Sequence, residues 1–143
     1  MPATPDTALQ ARLQQAGIGP TLQRLAIAEA LLRQPCHMTA DQVLVAARQW
    51  LPSLSRATVY GTLQLFVRQG LLRELPIDGE ATVYDSNLTP HHHLYHEDTG
   101  EVSDVPAEAL QVLGLPALGE GLELAAVDVI VRVRRRGSRP AAA

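Results

Sequence analysis

Histidines and acidic residues are concentrated in one short stretch of this chain, residues 90–104 (PHHHLYHEDTGEVSD). Four of the five histidines lie between His91 and His96, and Asp104 ends the stretch. Imidazole nitrogens and carboxylate oxygens bind Fe²⁺, Mn²⁺, Co²⁺ and Zn²⁺, and imidazole also binds haem iron. The stretch therefore predicts a metal or haem site.

Strand geometry would give these side chains a definite arrangement. Residues 91–96 and 101–105 are predicted to form two strands around a turn at 98–100, where a turn signal separates two strand-like segments. Successive side chains of a strand point to opposite faces, so His91 and His93 would share one face.

The same pairing predicts that His93 lies opposite Asp104 on the neighbouring strand, close enough to share a ligand. A shift of one residue in register would remove that pairing. With His91, this gives two imidazoles and one carboxylate, which is an incomplete ligand set. Asp85 and His37 are the candidates that complete it, because both lie near the ends of predicted segments.

The two other histidines of the stretch would lie on the opposite face of the strand. His92 and His96 offer a second metal site or axial ligands to haem iron, and plain exposure to solvent stays open as the alternative. Cys36 is the only cysteine, which excludes an intrachain disulfide and a cysteine-rich zinc site. It is predicted to be a bystander thiol.

Four helices are predicted before the histidines. Apolar periodicity, caps and stop signals place them at residues 7–16, 20–32, 39–50 and 55–69. Thr7 is the predicted N-cap of the first helix. Thr39, followed three residues later by Gln42, matches a capping box, and Ser55 begins the fourth helix.

A β-hairpin is predicted after the helices. Its strands, 71–75 and 81–85, flank Asp78–Gly79, which is a strong turn signal. Three helices and a hairpin, after one extra helix, are the order of a winged helix-turn-helix, in which the N-terminal end of the recognition helix meets base edges. The residues predicted to contact DNA at that end are Ser55, Arg56, Thr58 and Tyr60.

The second half of the chain is predicted to be a small α/β domain, with a short helix over 106–113 and a long strand over 122–133 in addition to the two strands above. Such a small sheet has little stability of its own, so we expect a homodimer. The fold class is α/β (α+β). The predicted divisions are a winged-helix domain at 1–84, a hinge at 85–89, an α/β dimerisation and metal-sensing domain at 90–136, and a disordered tail at 137–143.

Bulk composition excludes several classes of protein. The net charge of the 143 residues is −3, but all 12 basic residues are arginine, a side chain suited to phosphate and guanine. No apolar run approaches the roughly 18–20 residues of a membrane span. The sequence MPATPDTALQ has no signal-peptide pattern. We expect a cytoplasmic protein with no membrane partner.

The chain resembles the ferric uptake regulator superfamily, metal-sensing dimeric regulators with a winged-helix domain and an α/β dimerisation domain. The segments that carry the resemblance are 20–31, 37–48, 54–72 and 91–102. The resemblance implies that Arg24 and Tyr60 approach DNA. It also implies that the regulatory metal is held at His37, Asp85, His91, His93 and Asp104.

The chain departs from the family pattern in three respects. His96 and Thr99 stand where the family's structural zinc site usually has a CxxC motif, Gly61 replaces an arginine or asparagine, and Val127 replaces a histidine. The missing CxxC, the HHH run and the ending VDVIVRVRRR resemble the iron response regulator branch. That branch responds to iron through haem, which implies haem as an effector and a haem-synthesis or iron-status partner.

The leading hypothesis is a dimeric regulator that binds palindromic double-stranded operator DNA, with its affinity set by an interdomain divalent ion (Fe²⁺, Mn²⁺ or Zn²⁺). A haem-responsive regulator that binds haem through the HHH segment is the alternative. A small His/Asp metalloenzyme is a hypothesis of another class, although no nucleophile or general base is grouped with the site, and we expect no enzyme. A winged-helix interaction module without a DNA role is the third.

Overall fold

The computed structural model describes residues 6–75, 77 and 81–137. The chain divides into two structural units, residues 1–88 and 89–143, called unit 1 and unit 2 below. The predicted turn at Asp78–Gly79 and residues 138–143 of the predicted tail lie outside the described residues. No helix in the described part of the chain is long and apolar enough to cross a bilayer.

Unit 1 contains four helices and a three-stranded sheet. Its elements are α1 (Thr7–Gln15), α2 (Leu22–Leu31), β1 (His37–Thr39), α3 (Ala40–Ala47), α4 (Arg56–Arg68), β2 (Arg73–Leu75) and β3 (Val83–Asp85). The sheet order is β1-β3-β2, and both pairings are antiparallel. The predicted hairpin is therefore present, with one additional strand, β1, on the other side of β3.

Side-chain caps define where the helices begin. Asp6, not the predicted Thr7, caps α1, and Thr21 caps α2, so this helix starts after the predicted Pro20. The predicted capping box of Thr39 is confirmed, because its hydroxyl accepts from Gln42 N while the Gln42 side chain accepts from Thr39 N. Helix α3 ends earlier than the predicted residue 50. Ser55 caps α4 as predicted.

The core of unit 1 is aliphatic around a single phenylalanine. The largest apolar side chains that are almost completely buried come from α1, α2, α3 and α4, namely Leu13, Ile27, Leu31, Val43, Val59, Leu63 and Phe66. Each such burial stabilises the fold by about 1.5–3 kcal/mol. The same core includes Tyr84 of β3, so α4 and the sheet share one buried cluster.

Unit 2 is built on a three-stranded sheet of order β5-β4-β6. Strands β4 (His91–His96) and β5 (Val102–Pro106) form the predicted antiparallel hairpin, and β6 (Ile130–Val133) runs parallel to β4. The predicted helix over 106–113 is reduced to one 3₁₀ turn at Ala107–Ala109. The predicted long strand over 122–133 is also wrong in length, because only its last four residues pair with β4.

Candidate metal centre and recognition helix

One pair of potential ligands lies in unit 1, across strands β1 and β3. His37 and Asp85 are directly opposite in the antiparallel register, and His37 Nε2 is 3.5 Å from Asp85 Oδ2. The Asp85 side chain is only 2% exposed and that of His37 is 15% exposed. The second carboxylate oxygen, Asp85 Oδ1, accepts a hydrogen bond from Asn87 N at 2.8 Å. Asp85 is therefore held with Oδ2 directed toward His37.

Ser86 fastens β1 to β3 beside this pair. Its hydroxyl accepts from Cys36 N at 2.9 Å, and Ser86 N donates to the Cys36 carbonyl at 3.1 Å. Burial raises the pKa of the Cys36 thiol, so the thiol stays protonated at neutral pH and is a poor metal ligand. Cys36 thus positions the strand through its backbone, in agreement with the predicted bystander thiol.

The second group lies in unit 2, on β4 and β5. His93 is opposite Asp104 in the ladder, which confirms the predicted register. His91 Nε2 is 3.3 Å and His93 Nε2 is 4.0 Å from Asp104 Oδ1. The two imidazole rings meet edge to face, with centroids 4.6 Å apart. Both histidine side chains are buried, and that of Asp104 is partly exposed. The distances bring one ligand atom from each of the three residues together at one end of the hairpin.

A backbone carbonyl sets the tautomer of His91. His91 Nδ1 lies 2.5 Å from the carbonyl oxygen of Thr89. A carbonyl only accepts, so Nδ1 carries a proton, and Nε2 is the ring nitrogen that faces Asp104 Oδ1. Metal-bound histidines are characteristically held in this way, with the second ring nitrogen donating to a carbonyl or carboxylate. Residue types alone did not identify Thr89, because the contact is made by backbone.

The two remaining histidines of β4 have different surroundings. His92 is buried, and its Nδ1 accepts a hydrogen bond from Val129 N at 3.2 Å. A neutral ring in this arrangement carries its proton on Nε2, so binding a metal or haem through His92 would require this hydrogen bond to break. His96 is half-buried, and its backbone holds the turn through Glu101 and Gly100.

The chemistry of the donors fits a divalent ion of intermediate hardness. Within unit 2 the ligand atoms of His91, His93 and Asp104 all lie within 4.8 Å of one another, giving two nitrogens and one oxygen. Unit 1 contributes one nitrogen and one oxygen in its own pair. Mixed nitrogen and oxygen donors suit Fe²⁺, Mn²⁺, Co²⁺ and Zn²⁺. Either group alone has fewer ligands than such ions usually take.

The predicted DNA-contacting residues lie at two places in unit 1. Ser55 and Thr58 form the α4 cap, with Ser55 Oγ accepting from Thr58 N and donating to Thr58 Oγ1. Arg56 is the first residue of α4, donates to Asp41 Oδ1 and is well exposed. Tyr60 is 46% exposed one turn later.

Arg24 is apart from that cap, near the start of α2. Its Nη1 donates to the Gly19 carbonyl at 2.9 Å, at an exposed position. Sequence reasoning did not single out Asp41 as a partner of Arg56, because the contact joins two helices.

Comparison with known proteins places these features in one family. The profile of the ferric uptake regulator family matches residues 15–131. The peroxide-responsive repressor PerR of Staphylococcus aureus is 36% identical over 94 residues, which are 66% of this chain and 64% of the relative. The match thus spans slightly less than two thirds of that repressor. It is a repressor rather than an enzyme, in agreement with the expectation of no enzyme.

Solved structures with the same fold support the predicted α+β architecture. The ferric uptake regulator of Pseudomonas aeruginosa, solved with manganese, has a TM-score of 0.64 and 26% identity, and the match covers 89% of this chain and 97% of that one. The Vibrio cholerae ferric uptake regulator has a TM-score of 0.67 at 23% identity, with 87% of this chain and 98% of that chain covered. The predicted fold class is confirmed.

Proposed function

The chain belongs to the ferric uptake regulator family, and we propose that it is a dimeric transcription regulator whose operator binding is controlled by one divalent ion. The proposed ligands are His37, Asp85, His91, His93 and Asp104. The observation that carries the proposal is the His91 ring, whose tautomer is set by Thr89 so that Nε2 faces Asp104 Oδ1. Both ring nitrogens of this buried side chain thus face defined partners, as they do in metal-bound histidines.

The proposed ion is Fe²⁺, Mn²⁺ or Zn²⁺. Three imidazoles and two carboxylates form a mixed set that suits these ions, and the P. aeruginosa relative is described with manganese. When bound, the ion would supply positive charge that links donors from both units. The chain's own residues would do the rest, because Thr89 and Asn87 orient the ligands and Ser86 holds β1 on β3.

The proposed response follows from the distribution of the ligands over two units. The ion binds most tightly to the conformation in which all five side chains can reach it. Adding the ion therefore shifts the conformational equilibrium toward that state. If that state presents α4 of two protomers at the spacing of palindromic half-sites, then ion binding and DNA binding are coupled, and each ligand tightens the other.

The DNA surface in this proposal is the N-terminal end of α4. This end has no acidic residue in its first turn and begins with Arg56, so arginine and the helix dipole both attract phosphate. Tyr60 extends from the next turn, and Arg24 adds a charge near the start of α2. We expect binding to weaken steeply with salt as phosphate contacts release counterions.

Dimerisation would use the apolar surface of unit 2. Between β5 and β6 several large apolar side chains are 38–79% exposed: Val112, Leu113, Leu115, Leu118, Leu122 and Leu124. Monomeric proteins rarely expose this many large apolar side chains in one segment unless the segment binds a partner. A second copy of the chain is the proposed partner, in keeping with the predicted homodimer.

Haem is the competing effector. If haem binds, we propose that the chain belongs to the iron response regulator branch of the family. The HHH segment would supply the imidazole, and a haem-synthesis or iron-status partner would then be expected. Binding through His92 would compete with its hydrogen bond to Val129. We therefore place the non-haem ion first.

Metal and haem titration of untagged protein tests the proposal. We expect about one Mn²⁺ or Fe²⁺ per chain by equilibrium dialysis, weakened at least tenfold by His91→Ala and by His93→Ala. His96→Ala is the matched control in the same strand and should bind the ion normally. A saturable Soret band without bound divalent ion would instead identify a haem regulator.

DNA binding is measured on the same preparations. Duplexes selected from a library with a random core should bind more tightly in the presence of the ion, or less tightly if the ion releases the protein. An affinity that does not change with the ion, despite stoichiometric binding, would refute metal control. Turnover of a substrate by the wild type that is lost in His93→Ala would point to the metalloenzyme instead.

A further inference from the structure

An acidic side chain lies against the first residue of the recognition helix. Arg56 Nη1 donates a hydrogen bond to Asp41 Oδ1. Arg56 is the first residue of α4 and Asp41 is the second residue of α3. Both side chains are largely exposed, 60% for Arg56 and 70% for Asp41, so this pair lies on the surface rather than in the core.

The two helix ends that carry this pair are held rigidly. The Thr39 capping box fixes the start of α3, and the Ser55 cap fixes the start of α4. Arg48 closes the connection between them, since its Nε donates to the Leu54 carbonyl at 2.9 Å. The distance between the backbones of Asp41 and Arg56 is therefore set by the fold, and their contact restricts the rotamers of Arg56.

An acidic group at this place opposes indiscriminate DNA binding. The N-terminal end of a helix attracts phosphate, and Arg56 adds a positive charge there. The Asp41 carboxylate offsets that charge and repels phosphate, which lowers affinity for any sequence. Specificity is a difference between affinities, so a group that weakens binding to the wrong DNA raises discrimination.

The carboxylate leaves Arg56 able to recognise a base. A guanidinium has five N–H donors in a planar fork, and the Asp41 contact uses Nη1. The fork matches O6 and N7 of guanine. An arginine already fixed by a carboxylate loses less side-chain entropy when it binds a base edge than a mobile arginine does.

From this geometry we propose that Asp41 is a positioning residue that acts through Arg56, exchanging general phosphate affinity for discrimination at one base of each half-site. The proposal rests on the DNA-binding function proposed above. It assigns a role in sequence selection to α3, the helix that precedes the recognition helix.

Selection of duplexes with a random core, followed by sequencing, tests this with the whole chain, with and without Mn²⁺. Wild type, Asp41→Asn, Arg56→Ala and the double variant are compared. For Asp41→Asn we expect random-sequence DNA to be bound about two- to fivefold more tightly, because one repulsive charge is lost. Preference at one base position of each half-site should fall about tenfold.

The double variant shows whether Asp41 acts through Arg56. In the Arg56→Ala background, Asp41→Asn should leave the base preference unchanged. Glu74→Gln is the charge-matched control, because it removes an exposed acid of unit 1 and keeps an acceptor for Gln64. It should not alter the base preference.

The outcomes separate the two proposals. If wild type enriches no sequence with or without Mn²⁺, the regulator function fails, and the role of Asp41 fails with it. If wild type enriches a palindrome and Asp41→Asn enriches it equally, the regulator function stands and the role of Asp41 is refuted. The same refutation follows if Asp41→Asn changes the base preference equally in the Arg56→Ala background. Thermal unfolding confirms that each variant is folded.

Discussion

Three adjacent histidines in β4 have three different environments. His91 donates to the Thr89 carbonyl, His92 accepts from Val129 N, and His93 lies opposite Asp104 in the ladder. The sequence shows one repeated residue type, yet His91 and His93 approach the same Asp104 carboxylate, whereas His92 bonds to the backbone of Val129. A run of identical residues is therefore poor evidence that all of them bind one ligand.

Substitution of His92 distinguishes a structural ring from a ligand. His92→Phe removes the acceptor of Val129 N, and we expect the free energy of unfolding to fall by about 1 kcal/mol, measured by urea denaturation. His92→Asn retains an acceptor near the position of Nδ1 and should lose less. Both variants should keep wild-type Mn²⁺ affinity. A tenfold loss of Mn²⁺ affinity in both would show that His92 is a ligand.

Much of the candidate site could be predicted at this scale. The turn after β4 fixed the pairing of His93 with Asp104, since hairpin register depends on the turn. The contributions of Thr89 and Asn87 could not be predicted, because their backbone groups make the contacts and any residue type supplies those groups.

At the scale of elements, one glycine follows the end of α4 and another lies inside it. Gly70 follows the helix with φ +77°, a conformation that residues with a Cβ rarely adopt, whereas Gly61 lies inside the helix with nothing within 4 Å of an added Cβ. The same chemical change should therefore have opposite effects at the two positions.

Substituting each glycine by alanine tests that expectation. We expect Gly70→Ala to destabilise the fold by about 1 kcal/mol. Gly61→Ala should stabilise it by about 0.5–1 kcal/mol because alanine is the better helix former. Thermal and urea unfolding of the two variants give the signs. Equal signs would contradict the conformational explanation.

One hydroxyl adds to the backbone hydrogen bonds that join β1 and β3. In Ser86→Ala, Cys36 N loses its acceptor, and we expect about 1–2 kcal/mol of lost stability. His37 would also be less well placed, so Mn²⁺ affinity should fall several-fold in dialysis. Ser103→Ala, on β5, is the control for removal of a strand serine and should bind the ion normally. If Ser86→Ala binds Mn²⁺ with wild-type affinity, the hydrogen bond between Ser86 and Cys36 is not required to position His37 as a ligand.

The boundaries of the strands were harder to predict than those of the helices. Helix starts were readable at Thr39 and Ser55 because a capping side chain is local. Strand β1 has only three residues and no periodicity, and its partner β3 is remote in the sequence. Residues 122–129 were predicted to belong to the same strand as β6, but a strand forms only where a neighbour pairs with it, and the pairing with β4 begins at Ile130.

At the scale of the whole molecule, the exposed leucines of unit 2 predict self-association. Leu113 is 79% exposed, and Leu113→Glu would place a charge in the proposed interface. We expect the dimer to weaken at least tenfold in sedimentation equilibrium, since a buried unpaired charge is costly. Val45→Glu, at a position 67% exposed in unit 1, is the control and should remain dimeric. Unchanged association of Leu113→Glu would place the interface elsewhere.

The pairing pattern of the two ligand groups also predicts an order of events when the unfolded chain refolds. His93 and Asp104 belong to one local hairpin, and hairpins form in about 1–10 μs. His37 and Asp85 meet only when distant segments of unit 1 close into a sheet, which is a slower step because loop closure precedes the contact. A chain that refolds from denaturant would therefore acquire its hairpin ligands early and its β1–β3 ligands late. An ion captured too soon would find only part of its final coordination, and its exchange rate would report how far folding had progressed.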